Sequence, residues 1–326
     1  MIYIESSSTD PYYNLALEEY VFSQMDKSQS YFMLWQNDNA IIVGKYQNTS
    51  EEVNREFADA MGIRVARRLS GGGAVYHDKG NLNFTFITDQ DALEDFNFQV
   101  FVNPVIKALE TLGINAEFTG RNDLVLDGKK FSGNSQYAAG GRVLHHGCIM
   151  LDSDLDNVRE ALRVREAKFV SKSIKSVRSR VTTINEHASR KISMDEFKEA
   201  LKDQVFAGND ITEYHLTDQD QDAINKLMHT KYETWEWNYG FYKQYSIRRE
   251  EKFDSGLVTV DMDIEHGAIS DIHLSGDFFG SGELHDLEQQ LKGVPLDGHL
   301  AQKLKELDIE NYIHGVSAEE MALLFQ

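Results

Sequence analysis

The chain has 326 residues, of which 41% are hydrophobic and 11% aromatic, a globular composition with room for one large domain and a smaller one. Its 33 basic residues stand against 53 acidic ones, a formal net charge of −20 that excludes the positive field needed for nonspecific binding to nucleic acid or anionic membranes. A single cysteine, Cys148, excludes an internal disulfide, and no apolar run is long enough to span a bilayer, so the composition predicts a soluble cytoplasmic protein.

Residues 1–5 lack the basic stretch and apolar core of an export signal. Asp10-Pro11 then opens a helix, with aspartate at the N-cap and proline at the first position, where a missing N–H costs nothing. Tyr13, Ala16, Leu17 and Tyr20 fall on one face of it. The apolar runs 31–35 and 41–43 predict buried strands joined across Asn37-Asp38-Asn39. Val53, Phe57 and Met61 mark a short helix stopped by Gly62.

A strand at 63–66 ends in Arg67-Arg68, and Leu69-Ser70-Gly71-Gly72-Gly73-Ala74-Val75-Tyr76-His77 follows, with a turn at Lys79-Gly80. Residues 81–87 alternate polar residues with Leu82, Phe84 and Phe86, the mark of a strand with one buried face. Three adjacent glycines cost conformational entropy. They make sense where backbone amides approach a ligand, and the neighbouring arginines predict an anion. A flexible hairpin tip is the alternative reading; the arginine pair and the His77/Asn81 pair favour a site.

Phe98, Val102, Val105, Leu109 and Leu112 keep helical spacing up to Gly113, with Pro104 either kinking the helix or restarting it. Residues 122–126 and 129–136 flank Asp127-Gly128, a strong hairpin signal, and Gly140-Gly141 precedes a further strand at 143–151. The segment 168–180 holds Lys168, Lys172, Lys175, Arg178 and Arg180 with no acid, and reads as a mobile loop or lid. Ser193 and Glu196 form a capping box, stapled by Ile192 and Phe197, for a helix to about 206. A helix with Ile224, Leu227 and Met228 leads to the aromatic group 235–239, which reads as packing at a domain boundary. Beyond 245, strands at 252–264 and 268–274 meet near His266-Gly267, and helices follow at 284–291, 300–307 and 318–325.

The chain has neither a P-loop nor a strand followed by G-x-G-x-x-G, and no zinc motif. Lys130 is followed by small polar residues and is placed to neutralise a carboxylate or phosphate, while Lys129 points to the opposite face of its strand. Asp123 is either a turn residue or a ligand for magnesium arriving on a nucleotide. His145 and His146 point to opposite faces, which suits structural hydrogen bonds better than metal ligation. Cys148, in an apolar strand without a basic neighbour, reads as a buried structural thiol.

The run 67–78 with Gly80-Asn81 resembles the signature of lipoate–protein ligases. So do Gly120-Arg121-Asn122-Asp123, Lys130-Phe131-Ser132-Gly133, His145-His146-Gly147, Ser176-Val177-Arg178-Ser179-Arg180-Val181 and Trp235-Glu236-Trp237-Asn238-Tyr239-Gly240, in the family's order. Leu69 departs from relatives that carry serine there. The resemblance implies an α/β (α+β) biotin/lipoate-ligase fold with mixed sheets and flanking helices over residues 1–245, and a small α+β accessory domain over 246–326. It also implies a reaction. Lipoate and MgATP give lipoyl-adenylate, and the lipoyl group passes to a lysine of an apo lipoyl domain, either of a 2-oxoacid dehydrogenase E2 subunit or of the glycine-cleavage H protein. Lys130 matches the lysine at the junction of carboxylate and phosphate. Arg68, Ser70, Gly71, Gly72, Gly73, Ala74, His77 and Asn81 match the lipoyl and phosphate pocket. Asp123, Arg178 and Arg180 fall on the phosphate or metal side. An ATP-independent lipoyl or octanoyl transferase of the same fold and a non-catalytic lipoate-binding protein are the competing readings.

Overall fold

The computed structural model describes residues 1–89, 97–119, 122–162, 180–240 and 243–325. β1 (Ile2–Glu5), α1 (Pro11–Ser23), β2 (Tyr31–Trp35) and β3 (Ala40–Val43) come first, then α2 (Thr49–Glu52) and α3 (Arg55–Ala60). β4 (Arg64–Arg67), β5 (Val75–His77), β6 (Asn81–Asp89), α4 (Gln99–Thr111), β7 (Glu117–Thr119) and β8 (Asp123–Leu126) follow. β9 (Lys129–Ala139), β10 (Arg142–Met150), α5 (Leu155–Ala161), α6 (Met194–Phe206), β11 (Thr212–Glu213), α7 (Asp218–Leu227) and α8 (Trp235–Tyr239) complete the larger part.

Eight strands form one mixed sheet in the order β11-β1-β2-β6-β10-β9-β8-β7, with β1 parallel to both β11 and β2. A second sheet, β4-β3-β5, pairs β3 parallel to β4 and antiparallel to β5. The runs 31–35 and 41–43 therefore lie in different sheets, so the connection through residues 37–39 is a crossing and not a hairpin. One face of the large sheet packs Phe32, Phe84 and Phe131 against Phe101 of α4 and Phe197 of α6. The other packs Tyr31, Met33 and Ile87 against Leu15 and Leu17 of α1 and Ile42 and Ala66 of the small sheet. β6 is consequently buried on both faces over residues 81–87, where alternation alone predicts one.

The local signals act as expected at most boundaries. Asp10 accepts from the amides of Tyr12 and Tyr13 and Pro11 starts α1, while α4 runs through Pro104 to the left-handed Gly113. Asp127 and Gly128 have φ of 49° and 74°, and Gly140 and Gly141 have 59° and 76°. These two-residue turns of positive φ join β8, β9 and β10 into a meander. Its register sets Asp123 opposite Gly133 and Gly133 opposite Cys148. The Ser193 hydroxyl accepts from the Glu196 amide, but the Glu196 carboxylate is taken by Arg190, so only half of the capping box forms.

Other boundaries differ. The buried stripe of α1 includes Asn14 and Glu18, two polar residues held by internal hydrogen bonds. Val53 lies between two short helices and bridges to Leu162. The stretch read as one strand at 252–264 is broken by a two-residue turn at Asp254-Ser255 into β12 (Ile247–Phe253) and β13 (Gly256–Glu265), with Phe253 paired to Gly256. With β14 (Ala268–Gly276) they form an antiparallel sheet. α9 (Leu284–Leu291), α10 (Leu300–Glu306), α11 (Ile309–Tyr312) and α12 (Ala318–Leu324) cover it around a core of its own, into which Tyr46 of the larger part inserts. Among the described residues no helix is long and apolar enough to cross a membrane.

Candidate active site

Arg67 and Arg68 leave β4 side by side, and both guanidinium groups turn inward. Arg67 donates to the carbonyls of Gly44, Lys45, Gln47, Trp237 and Asn238 and to the Thr49 hydroxyl. Arg68 donates to Ile42 O, to the Ser70 hydroxyl, and to Gly71 O and Gly73 O at 2.6 and 2.9 Å. Burial lowers each guanidinium pKa to about 10. The arginines thus act first as cross-braces: Arg68 holds the glycine turn in shape, and Arg67 ties the 44–49 segment to residues 237–238. Gly72 sits at φ 87°, in the left-handed region, with an Arg68 nitrogen 3.1 Å from where a Cβ would lie.

Behind the turn runs a buried polar chain. Ser70 Oγ lies 2.6 Å from His146 Nε2, and His146 Nδ1 lies 2.9 Å from the Glu18 carboxylate. Glu18 also accepts from Thr85, whose hydroxyl accepts from the Trp35 indole. His146 Nδ1 donates to the Glu18 carboxylate from one side and the Trp35–Thr85 arm donates to it from the other, so the chain converges on Glu18. Ser70, Glu18 and Thr85 are buried, and the chain anchors the glycine turn to α1 and the large sheet.

A cavity of about 110 Å³ opens between the sheets. Leu15, Trp35, Ile42 and Val75 give it apolar lining; Gly72, Gly73 and Ala74 bring the glycine turn to it; Lys130, Asn134, His77 and His146 supply polar groups. Lys130 Nζ pairs with Asp123 at 2.7 Å and fits against Gly133, where an added Cβ would stand 3.0 Å from it. Gly147 leaves space for Asn134, since a Cβ there would lie 2.3 Å from Oδ1. Among the described residues, three polar atoms of cavity-lining side chains are buried without a protein partner: His77 Nε2, Asn83 Nδ2 and Asn134 Oδ1. Burial, reinforced by Arg68 and His146, lowers the His77 pKa to about 3, so its ring is neutral at ordinary pH.

The segment 276–283 of the C-terminal part closes on the glycine turn. Gly72 N donates to Phe278 O at 3.2 Å, Phe278 stacks on Tyr46, and Glu283 pairs with Lys45 at 2.7 Å.

Arg68, Gly72, Gly73, Ala74, His77 and Lys130 all line the cavity. Ser70 and Gly71 stand one layer behind it, with Ser70 on His146 and the Gly71 carbonyl accepting from Arg68 and Ser135. Asn81 is also withdrawn, its amide on Asn83, and Asn83 is the residue that reaches the cavity. The strand's two-residue period allowed either. Asp123 meets the site only through Lys130. Arg180 is exposed, and its carbonyl accepts from the Lys130 amide, while Arg178 and the rest of the basic segment to residue 179 lie outside the described residues.

Two readings need correction. Cys148 is half-buried and lines the cavity, because it shares the strand face of His146. Trp235 is 56% exposed, stacked on Tyr239, and it is Trp237 and Asn238 that brace Arg67. His145 behaves as read: it is buried among Phe84, Phe98 and Phe101, which holds its pKa well below the usual value. Glu18, Trp35 and Asn83 escaped the sequence reading, and only the two polar residues on the apolar side of α1 hinted at an internal network.

Fold and site together define an α/β protein that surrounds an apolar cavity with a glycine turn, a lysine and a set of neutral hydrogen-bonding groups. Residues 10–206 match the family model for the lipoyl protein ligase A/B catalytic domain, and residues 243–325 match that for the bacterial lipoate protein ligase C-terminus. The chain is 47% identical to lipoate–protein ligase 1 of Staphylococcus aureus, over 97% of each chain, and 41% identical to the lipoate–protein ligase LplJ of Bacillus subtilis, over 98% of each. It belongs to the lipoate–protein ligase family. Among solved structures, P. falciparum LipL1 in complex with lipoate superposes with a TM-score of 0.78 at 23% identity over 96% of this chain and 95% of that one. A bipartite lipoate protein ligase from Thermoplasma acidophilum, solved with its E2 lipoyl domain, gives 0.66 at 28% over 76% and 98%. A lipoate-protein ligase A bound with ATP gives 0.64 at 26% over 74% and 98%.

Proposed function

We propose that this chain activates lipoate with ATP to lipoyl-adenylate and transfers the lipoyl group to a lysine of apo lipoyl domains, on E2 subunits of 2-oxoacid dehydrogenases or on the glycine-cleavage H protein. The observation that carries the reading is the meeting of Lys130 and the Gly72-Gly73 turn at one cavity with apolar lining. Lipoate and a triphosphate repel one another, so bringing them together calls for positioning and charge neutralisation more than for a protein nucleophile. Leu15, Trp35, Ile42 and Val75 take the acyl chain, and Lys130 faces the carboxylate and α-phosphate. The glycine turn lies on the phosphate side and is held in shape by Arg68, while the Gly72 amide is given to Phe278 O.

Magnesium suits a supporting part. Asp123 offers a single carboxylate already in contact with Lys130, and among the described residues no three acidic, histidine or cysteine side chains converge to hold a metal. The nucleotide's phosphates would supply the remaining ligands. Residues 1–245 form the catalytic domain and 246–326 an accessory domain, whose segment 276–283 rests on the glycine turn. The basic residues of the 168–180 segment, Arg178 and Arg180 among them, attract the nucleotide or an acidic acceptor domain, and the reaction takes place in the cytoplasm.

The test is lipoate-dependent exchange of label between pyrophosphate and ATP. Wild-type protein exchanges, and Lys130→Ala loses roughly 100-fold or more, the magnitude of removing one preorganised group at a developing charge. Tight lipoate binding without exchange would replace the ligase reading by a binding protein, and lipoylation without ATP would replace it by a transferase.

A further inference from the structure

The hydrogen bonds around His77 fix which of its nitrogens carries the proton. Asn14, buried on α1, donates from Nδ2 to Ser8 O at 3.0 Å and Gln36 O at 2.8 Å, and its Oδ1 accepts from Ser6 Oγ at 2.6 Å. Two backbone carbonyls on one side of the amide mean that its N and O cannot change places. The same Nδ2 stands 3.0 Å from Asn37 Oδ1, which shares its protons with those carbonyls, since a nitrogen there would set donor against donor. Asn37 is buried and presents its own Nδ2 to His77 Nδ1 at 3.2 Å. An amide nitrogen only donates, so His77 Nδ1 accepts, and a neutral ring then carries its proton on Nε2.

Nε2 is the ring atom left without a protein partner, on a residue that is buried and lines the cavity. A buried N–H without an acceptor is costly unless a ligand supplies one. Sulfur accepts weakly, so the oxygen-bearing end of the acyl group, and not a dithiolane, matches this donor. We propose that Asn14 and Asn37 are positioning residues that hold His77 as the Nε2–H tautomer, a neutral donor to an oxygen of the bound acyl group or of its adenylate. The inference rests on the ligase reading above and adds to it a division of labour. Lys130 brings positive charge, whereas His77 brings a donor that needs no reorganisation as negative charge grows on the oxygen.

The experiment is nitrogen NMR of histidine-labelled wild-type protein, with His77→Gln used to assign the signals. His77 is expected to show a protonated Nε2 and a bare Nδ1, unchanged between about pH 5 and 8. Asn37→Asp places a carboxylate acceptor on Nδ1 and is expected to draw a proton there. Lipoate titration without nucleotide then reports the acyl oxygen, and the KM for ATP in exchange reports the phosphate oxygen. His77→Leu is expected to weaken one of them about tenfold, the value of one neutral hydrogen bond. His77→Gln, whose amide nitrogen reaches the place of Nε2, is expected to restore most of it. A wild-type His77 protonated on Nδ1 overturns the proposal without any variant, as does a His77→Leu protein with wild-type affinity for both substrates. Wild-type protein that fails to exchange at all defeats the ligase reading instead, so the two failures are separable.

Discussion

Arg67 gives the sharpest test of how the site is held. It is buried, no carboxylate among the described residues hydrogen-bonds to it, and it donates to five carbonyls and one hydroxyl from two segments, 44–49 and 237–238. Arg67→Met keeps the volume and removes every donor. Each buried carbonyl left unpaired costs about 1–3 kcal/mol, although water reaching the vacated space offsets part of that. Four of these bonds lie in fully buried surroundings. A net loss of roughly 3–5 kcal/mol is therefore expected, in the range found when one partner of a buried ionic network is removed. For a unit of this size that corresponds to a fall in melting temperature of roughly 10 °C. Arg67→Lys restores charge and three donors in a different geometry, and should lie between the two. The assay is thermal unfolding followed by circular dichroism, alongside pyrophosphate exchange at a temperature where all three proteins are folded. If Arg67→Met melts within about 2 °C of wild type, the cross-bracing carries no such energy and the reasoning fails.

Other outcomes follow from the same geometry. The His77 pKa is near 3 in the folded protein against 6.5 when unfolded, so the unfolded chain binds the extra proton first as pH falls. Stability supplied by neutral His77 is complete above about pH 6.5 and is lost below it, by roughly 2 kcal/mol at pH 5. Urea titrations at the two pH values measure this, and His77→Gln should flatten the slope by that amount; an unchanged slope refutes the assignment. Cys148 lines the cavity with its Sγ 3.7 Å from Gly133 O, so iodoacetamide should label it in free protein and lipoate should protect it. Cys148→Ala should keep ATP-dependent lipoylation, since Lys130 and the glycine turn are untouched; its loss would revive the transferase reading.

Much of the chemistry was legible along the chain because it depends on residues close together in sequence. Three consecutive glycines after paired arginines mark the turn that comes to line the cavity, and Asp127-Gly128 dictates a tight hairpin that fixes which face Lys130 takes. Caps at Asp10 and Ser193 are equally local. The arginines mark the limit. Composition and proximity suggest that they meet an anion directly, yet a guanidinium with five donors binds whichever carbonyls folding brings near, and for Arg67 those lie 20 to 171 residues away.

What the sequence by itself determined is the set of local shapes: turns that require positive φ, helix starts, and the alternation that sets Lys130 apart from Lys129. Only the tertiary structure decided which of two polar residues on the same strand face reaches the cavity. Asn83 rather than Asn81 lines it, and Cys148 joins it instead of the core. The same holds for the path from Asn14 through Asn37 to His77, whose members come from a helix, a crossing loop and a strand of the small sheet. Hydrogen-bond direction across such distances depends on where chains pack. No spacing along the sequence encodes that.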